Sequence, residues 1–298
     1  MSDHTTRTVL VTAATGTVGR HVVAELRDAE CEVRAATRDP DTDRERFEAA
    51  DAVVEFDFDR PETWGAALAD IDAVFLVRPP VVDTADVCAF VDATARVGVE
   101  RIAYLSTLGA DRNRLLPHYR IERRIEAAGV GYTFLRASFF AQNLHEVHRP
   151  DVIEHDELFV PAGAGATSFV DARDVAAVAA RVLVESGHLH VAYDLTGPAA
   201  LRYDEVATIF SDVLGRSIQY ADPSIPAFVH RMRSRGHPLG YVLLMVGIYT
   251  TARLGLADRV TDDVERVLKR PPRSIRSYVE DYAGEFRTAA QDGTASDR

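Results

Sequence analysis

Thr8-Val9-Leu10-Val11-Thr12-Ala13-Ala14-Thr15-Gly16-Thr17-Val18-Gly19 carries a short apolar strand, Thr8 to Val11, straight into a glycine-bearing turn. The residues from about Val18 to Asp28 then read as a helix. A turn joining a strand to a helix N-terminus exposes backbone N–H groups where the helix dipole favours an anion, so it can cradle a pyrophosphate. Gly16 lets the backbone approach the phosphates, and Gly19 lets helix and strand pack closely. Thr12, Ala14, Thr15, Gly16, Thr17, Val18 and Gly19 are therefore the first candidate cofactor-binding residues. An inert turn is the competing reading. Its place after a strand, before a helix and at the start of an alternating series favours the nucleotide.

That series continues. Glu32 to Thr37 and Ala52 to Phe56 read as strands, and Asp72 to Val77 as a fourth, ended by Arg78-Pro79-Pro80. A helix from Thr84 to Gly98 leads to the strand Arg101 to Ser106. A helix over Pro117 to Ala128 leads to the strand Tyr132 to Ala137. Strands alternating with such helical stretches imply βαβ units and a parallel sheet. After Phe140 the alternation loosens. Val170-Asp171-Ala172-Arg173-Asp174 opens one more helix, through about Glu185, with Asp171 or Asp174 as its cap, and Tyr193 to Thr196 reads as a last strand. The expected fold class is α/β, a doubly wound parallel Rossmann sheet with a smaller C-terminal substrate lobe. The binding domain would span residues 1–150, with the sheet completed by about 168–196. A mainly helical lobe would follow over 197–288, and a polar tail over 289–298.

Composition narrows the function. The 298 residues are 47% hydrophobic and 27% charged, ordinary for one large α/β domain with a smaller lobe. A net charge of −12 disfavours a phosphate-rich polymer, so no nucleic-acid partner is expected, while one local cationic pocket would still hold a dinucleotide. Lys269 is the only lysine; either a concentrated-salt cytoplasm or a GC-rich genome would produce that bias. Cys31 and Cys88 make no disulfide framework and read as small buried side chains in a reducing compartment. Polar Ser2 to Arg7 leads directly into the first strand, without a signal peptide. The longest apolar run, Pro238 to Ala252, is too short and glycine-broken to span a bilayer. The reading is a cytoplasmic protein without membrane attachment. His145, His148 and His155 lack ligand spacing, and His188-Leu189-His190 alternates like a strand, so no metal is expected.

The second strand ends in Thr37-Arg38, without the acidic residue that would bind a ribose 2′-hydroxyl. An arginine there pairs with a 2′-phosphate, which favours NADPH over NADH. The alternative is a solvated Arg38 opposite Asp39 or Asp41. Asp57-Phe58, after the third strand, falls where the adenine should lie.

These residues resemble the NmrA-like branch of the atypical short-chain dehydrogenase/reductases, from about Thr8 to Phe286. The family's Gly-Ala-Thr-Gly-x-x-Gly turn is matched from Ala13 to Gly19, with Ala13 in place of the first glycine. Phe75-Leu76-Val77-Arg78-Pro79-Pro80, Tyr104 to Ala110 and Tyr132 to Phe140 carry the likeness onward. So do Thr261-Asp262-Asp263-Val264-Glu265 and Arg270-Pro271-Pro272-Arg273. The resemblance implies a cofactor lying across the strand ends, with Val77 and Arg78 beside it, and with Ser138, Phe139 and Phe140 near the nicotinamide and substrate.

Classical members of that superfamily use a Tyr-x-x-x-Lys pair and a serine on the preceding strand, the lysine helping tyrosine release its proton. Here the corresponding residues are Tyr119, Arg123 and Ser106. Arg123 brings the charge but does not release a proton. The resemblance also sets His118 where isoflavone-reductase-like members carry a catalytic lysine, and histidine can donate or relay a proton near neutral pH. The catalytic candidates are thus His118, Tyr119 and Ser106, with His118 as a mere pocket-lining residue the competing view. Phe228, Met232, Leu243, Leu244, Met245 and Tyr249 could line an apolar cavity or form helical core. The leading function is an NADPH-dependent oxidoreductase passing hydride to a small hydrophobic acceptor such as a quinone or enone. The alternative is a non-catalytic NADP(H) sensor acting through a partner protein. An epimerase or dehydratase would need an intact tyrosine–lysine pair. A homodimer or a regulatory protein partner stays open.

Overall fold

The computed structural model describes residues 6–286; the polar tail expected over 289–298 lies outside the described residues. The chain begins with β1 (Arg7–Val11), α1 (Gly19–Leu26), β2 (Cys31–Thr37), α2 (Pro40–Asp43), β3 (Ala52–Glu55) and α3 (Trp64–Leu68). It continues through β4 (Ala73–Val77), α4 (Thr84–Val97), β5 (Arg101–Thr107), α5 (Pro117–Ala128) and β6 (Gly131–Ala137). Next come α6 (Asn143–Glu146), α7 (Arg149–His155), β7 (Glu157–Phe159), β8 (Ala166–Ser168), α8 (Ala172–Val184) and β9 (Val191–Leu195). The described chain closes with β10 (Ala200–Arg202), α9 (Tyr203–Leu214), β11 (Gln219–Ala221), α10 (Ile225–Ser234), α11 (Leu239–Arg253), α12 (Asp263–Leu268) and α13 (Ile275–Asp281).

These elements divide into two compact units. The first holds the chain up to Ala137, Ala172–Leu195 and Asp263–Arg270. Its seven strands form one sheet in the order β3-β2-β1-β4-β5-β6-β9, with every neighbouring pair parallel. Val9 to Val11 and Ala73 to Leu76 are fully buried, the continuous apolar run that a parallel strand needs when helices cover both faces. α1 packs with α8, and α4 packs with both α3 and α5. Phe56, Phe58, Trp64 and Phe90 form an edge-to-face aromatic cluster with ring centroids 4.8–5.6 Å apart. Two arginines close the C-terminal end of α8. Arg7 donates to the carbonyls of Leu183 and Val184, and Arg101 to those of Val182 and Glu185.

The chain steps outward from β1 to β3 and then returns to β4 on the other side of β1. The strand ends diverge at that reversal and leave a crevice at the carboxyl edge of the sheet, where ligands of such folds bind. The glycine turn leaves β1 at this edge.

The second unit holds Ser138–Asp171, Thr196–Asp262 and the chain from Pro271. Its core gathers Phe159, Tyr203, Phe210, Phe228, Tyr249 and Tyr278. The sequence reads as helical beyond Leu201, but β10 pairs antiparallel with β8, and β11 pairs parallel with β7. Each of these strands is three residues long, too short for period-two alternation to register. His188-Leu189-His190, read as strand-like, is a turn in the first unit, with His190 at φ +58°. Cys31 and Cys88 are half-buried rather than enclosed, and burial raises both thiol pKa values. No helix among the described residues is long and apolar enough to cross a membrane.

Candidate cofactor and catalytic site

Thr12 fixes the crevice. Its N–H and hydroxyl both donate to the Phe75 carbonyl, at 3.0 and 2.9 Å, and its oxygen accepts the Val77 N–H at 3.0 Å. One buried threonine therefore ties the end of β1 to the end of β4. Ala13 then turns the chain with φ +49°. Gly16 donates back to the Ala13 carbonyl at 2.9 Å, and Arg20 donates to the Gly16 carbonyl at 3.2 Å.

The turn fits a diphosphate. The N–H groups of Thr15 and Val18 donate to no acceptor among the described residues. α1 has no side-chain cap and no acidic residue in its first turn, so the positive end of its dipole is uncompensated. A Cβ on Gly16 would approach the Ala13 oxygen to 3.1 Å, and one on Gly19 would reach 2.2 Å. Side chains at those positions would fill the space that lets a ligand meet the backbone.

Arg38 follows β2 as an exposed side chain with no acidic group in ion-pair range among the described residues. Asp39 is engaged elsewhere, accepting the Thr42 N–H at 3.2 Å and its hydroxyl at 2.7 Å; those hydrogen bonds hold its carboxyl below the usual range. The loop after β3 is fixed by the Asp57 N–H donating to Thr63 and by Trp64 donating to the Asp57 carbonyl at 2.8 Å. Phe58 is 4% exposed, its ring lying inside the aromatic cluster. What Phe58 presents to the loop is backbone.

At the ends of β4 and β5 three groups converge. Tyr104 and His118 Nδ1 share a hydrogen bond at 2.8 Å, so a tyrosine on β5 orients the histidine that opens α5. Burial first, and then the positive charge of Arg78, lower the His118 pKa to about 4; Glu122 opposes weakly. Burial also raises the Tyr104 phenol well above its ordinary value. Arg78 carries a buried Nε with no hydrogen-bond partner. Such an atom costs free energy unless a ligand or water satisfies it.

Ser106 and Tyr119 each have neighbours of their own. Ser106 donates to Glu122 at 2.6 Å, and Glu122 is gripped by Arg136 through Nε at 3.0 Å and Nη2 at 2.8 Å. Glu122 is fully buried. Tyr119 lies between Arg114 and Arg123, whose guanidinium carbons are 6.0 and 5.6 Å from its ring centroid. Tyr104, Glu122 and Arg136 were not singled out as functional in the sequence. The one available signal was spacing: His118 and Glu122 lie one helical turn apart on α5. Ser138 and Phe139 belong to the second unit. There the Ser138 hydroxyl donates to the Ser168 carbonyl, and the Phe139 ring packs on Phe169 and Tyr249 at 5.6 and 5.8 Å.

The sheet order, the uncapped glycine turn at its reversal point and the histidine that opens α5 can be set beside known proteins. The sequence profile of the NmrA-like family matches residues 5–263. The chain belongs to the NmrA-like family. Within it, the chain is 32% identical to the NAD(P)H azoreductase of Xenophilus azovorans over 286 residues, covering 94% of this chain and all of that protein. The fold matches the NADPH-dependent quinone oxidoreductase QOR2 of Escherichia coli, solved with NADPH. That TM-score is 0.83 at 24% identity, over 93% of this chain and 99% of the other. The triphenylmethane reductase of Citrobacter sp., solved with NADP(H), matches with a TM-score of 0.82 at 23% identity, over 93% and 99% of the two chains. In this NmrA-like protein the glycine turn follows the first strand of a Rossmann sheet.

Proposed function

We propose that this protein is an NADPH-dependent oxidoreductase that transfers hydride to a small hydrophobic acceptor such as a quinone or enone. The observation that carries the reading is the uncapped glycine turn, with an exposed Arg38 at the end of the next strand that has no acidic partner among the described residues. The azoreductase, quinone reductase and dye reductase named above support it.

When bound, NADPH would supply the hydride. Thr15 and Val18 N–H groups and the Thr12–Gly19 backbone would hold the diphosphate, and Arg38 the 2′-phosphate. Asp57 and the Phe58 backbone would border the adenine, with Val77 and Arg78 beside the nicotinamide half. His118, oriented by Tyr104, would present Nε2 to the acceptor. Tyr119 is the second polar candidate, and Ser106 is proposed to act by positioning Glu122 and α5.

The test is NADPH oxidation by the purified chain across quinones, azo and triarylmethane dyes, enones and aldehydes, alongside direct NADPH titration by fluorescence. Turnover with any acceptor, weakened by His118→Ala, supports the reading. Tight NADPH binding without oxidation by any acceptor would favour the redox-sensor function instead.

A further inference from the structure

We propose that the outer face of α11 is the contact surface of a homodimer, packed against the same helix of a second copy of this chain. From Gly236 to Ala252 the sequence holds no aspartate, glutamate, lysine or arginine. Val242, Met245, Tyr249 and Ala252 fall on one side of α11 and are buried in the core of the second unit. Gly240, Leu243, Leu244, Gly247, Thr251 and Leu254 fall on the opposite side, three and four residues apart, and all six are exposed. A helix that is apolar on both sides is one that buries both. Here one side has no cover among the described residues.

The size of the face fits a second copy. Leu239, Leu243, Leu244, Ile248, Leu254 and Leu256 are each 38–70% exposed. Together they amount to about three whole large side chains, roughly 500 Å² of apolar surface at about 150 Å² each. A standard interface takes about 800 Å² from each partner, and in homodimers about 65% of it is apolar, so each copy must bring about 500 Å². Gly240 and Gly247 lie along the middle of the face, two helical turns apart. Glycine weakens a helix interior, and the fold of this chain does not require it there, because a Cβ at either position would meet nothing within 4 Å. Bare backbone between leucines lets a second helix come close and set its own side chains into the gaps.

Charge selects the occupant. The arginines nearest the two ends of α11 in the sequence are already paired within their own copy, Arg235 with Asp151 and Arg253 with Asp222. A two-fold contact sets a surface against itself, so like charges would meet wherever the surface is charged. In a chain of net charge −12, the α11 face is where two copies can close without that cost. An anionic bilayer is a poorer cover, since it calls for basic side chains free to meet it beside the apolar face. The ends of the chain do not match the face either: residues 1–5 and 287–298 contain no leucine, isoleucine, valine or aromatic residue.

Sedimentation velocity on the purified full-length chain tests the proposal, with circular dichroism to confirm folding. The wild type is expected to sediment at twice the 32.8 kDa of one chain. Leu244→Glu places a charge in the face and should raise the dimer dissociation constant at least about 30-fold, as loss of a central contact does. Gly247→Leu should weaken the dimer as well while leaving the fold of each copy intact, because its side chain enters space that is open in the single chain. Disulfide trapping locates the contact. With Cys31 and Cys88 replaced by serine, Gly240→Cys, Gly247→Cys and Thr251→Cys are oxidised in turn, and at least one should give a covalent dimer. Thr208→Cys, exposed on α9, should not. Flotation with phosphatidylglycerol vesicles covers the lipid alternative. A wild-type chain that stays monomeric at submillimolar concentration, a dimer that survives both α11 variants, or a monomer that floats with vesicles unless Leu244 is changed would overturn the proposal. These readouts do not involve hydride transfer, so they stand or fall apart from the reductase reading.

Discussion

The carbonyl oxygen of Ala13 stands 2.2 Å from where a Cβ on Gly19 would have to be. The Ala13 carbon and the Ala14 Cα follow at 2.8 and 3.0 Å, so the obstacle is backbone on all sides. No rotamer change relieves it. Gly19→Ala is expected to push the turn away from α1, destabilising the protein by about 1–3 kcal/mol as overpacked sites do. NADPH affinity should fall at least about tenfold, because the Thr15 and Val18 N–H groups would lose their aim. Thermal denaturation and a fluorescence titration read the two effects separately. Unchanged NADPH affinity would show that the turn is not the phosphate cradle.

Ala13 itself poses the opposite case. With φ +49°, it sits in left-handed backbone that costs a residue with a Cβ roughly 1 kcal/mol. The family resemblance puts glycine there. Ala13→Gly removes that cost, partly offset by the greater freedom glycine gains in the unfolded chain. The net expectation is a gain of up to about 0.5–1 kcal/mol and NADPH binding at least as tight as before. Differential scanning calorimetry with and without NADPH checks it. A lower melting temperature would mean that the alanine methyl makes a contact worth more than the strain.

The sequence shows the first unit well because its signals are local. The helix read over Pro117 to Ala128 has the same bounds in the structure, with Pro117 in its first turn and Gly129 as its left-handed C-cap. The strands of the sheet are apolar runs closed by turns; β1 to β6 differ from their sequence reading by one residue at one end, while β9 begins two residues before the strand read at Tyr193. The turn from Thr12 to Gly19 was legible for the same reason. Glu122 was not, since one glutamate in Tyr119-Arg120-Ile121-Glu122-Arg123 looks like any solvated helix residue. Its partners Ser106 and Arg136 come from β5 and β6, and only the parallel register that sets Ser106 beside Arg136 brings them together. The same holds for Tyr104, whose bond to His118 spans 14 residues.

Arg38 should decide between the two nicotinamide dinucleotides. Its charge is exposed and has no acidic partner among the described residues, and Asp39 beside it is occupied by Thr42. A charge-assisted bond to a 2′-phosphate is worth about 1.5–3 kcal/mol, or roughly tenfold to a hundredfold in affinity. Arg38→Ala is expected to weaken NADPH by about that factor while leaving NADH unchanged. The salt dependence of NADPH binding should become shallower in the variant. Calorimetric titrations with both dinucleotides at two salt concentrations measure this, and equal losses for both would exclude the assignment.

Glu122 and Arg136 form a buried pair, with side-chain exposures of 0% and 12%. Removing one partner leaves an uncompensated charge, which costs about 3–5 kcal/mol. Glu122→Ala is therefore expected to be severely destabilised. Glu122→Gln, which keeps an acceptor for Ser106 and Arg136, should lose less. Replacing both members, as in Glu122→Met with Arg136→Met, should recover much of the loss, because no charge is then stranded. Chemical denaturation of the wild type, Glu122→Met, Arg136→Met and the double variant gives the coupling energy. Additive losses would show that the pair is not coupled.

Asp151 makes the second unit acid-sensitive. Burial alone would raise its pKa, but His148 at 3.8 Å and the guanidiniums of Arg235 and Arg231 at 2.8–2.9 Å more than reverse that. The carboxyl is held well below its ordinary value. A carboxyl whose folded pKa lies below its unfolded one stabilises the fold above the unfolded value of about 3.9. That contribution drains away as the pH falls toward the folded value. The wild-type chain should therefore lose stability steeply below about pH 4, when the Asp151 bonds to α10 can no longer be kept. Asp151→Asn leaves Arg235 beside a neutral amide, with Arg231 keeping only Glu157, so it should be less stable at pH 7. It should also show a shallower decline below about pH 4, since it has no carboxylate left to protonate. Melting curves of both proteins between about pH 3 and pH 7 test the sign directly. Parallel curves would place the acid sensitivity in other carboxylates.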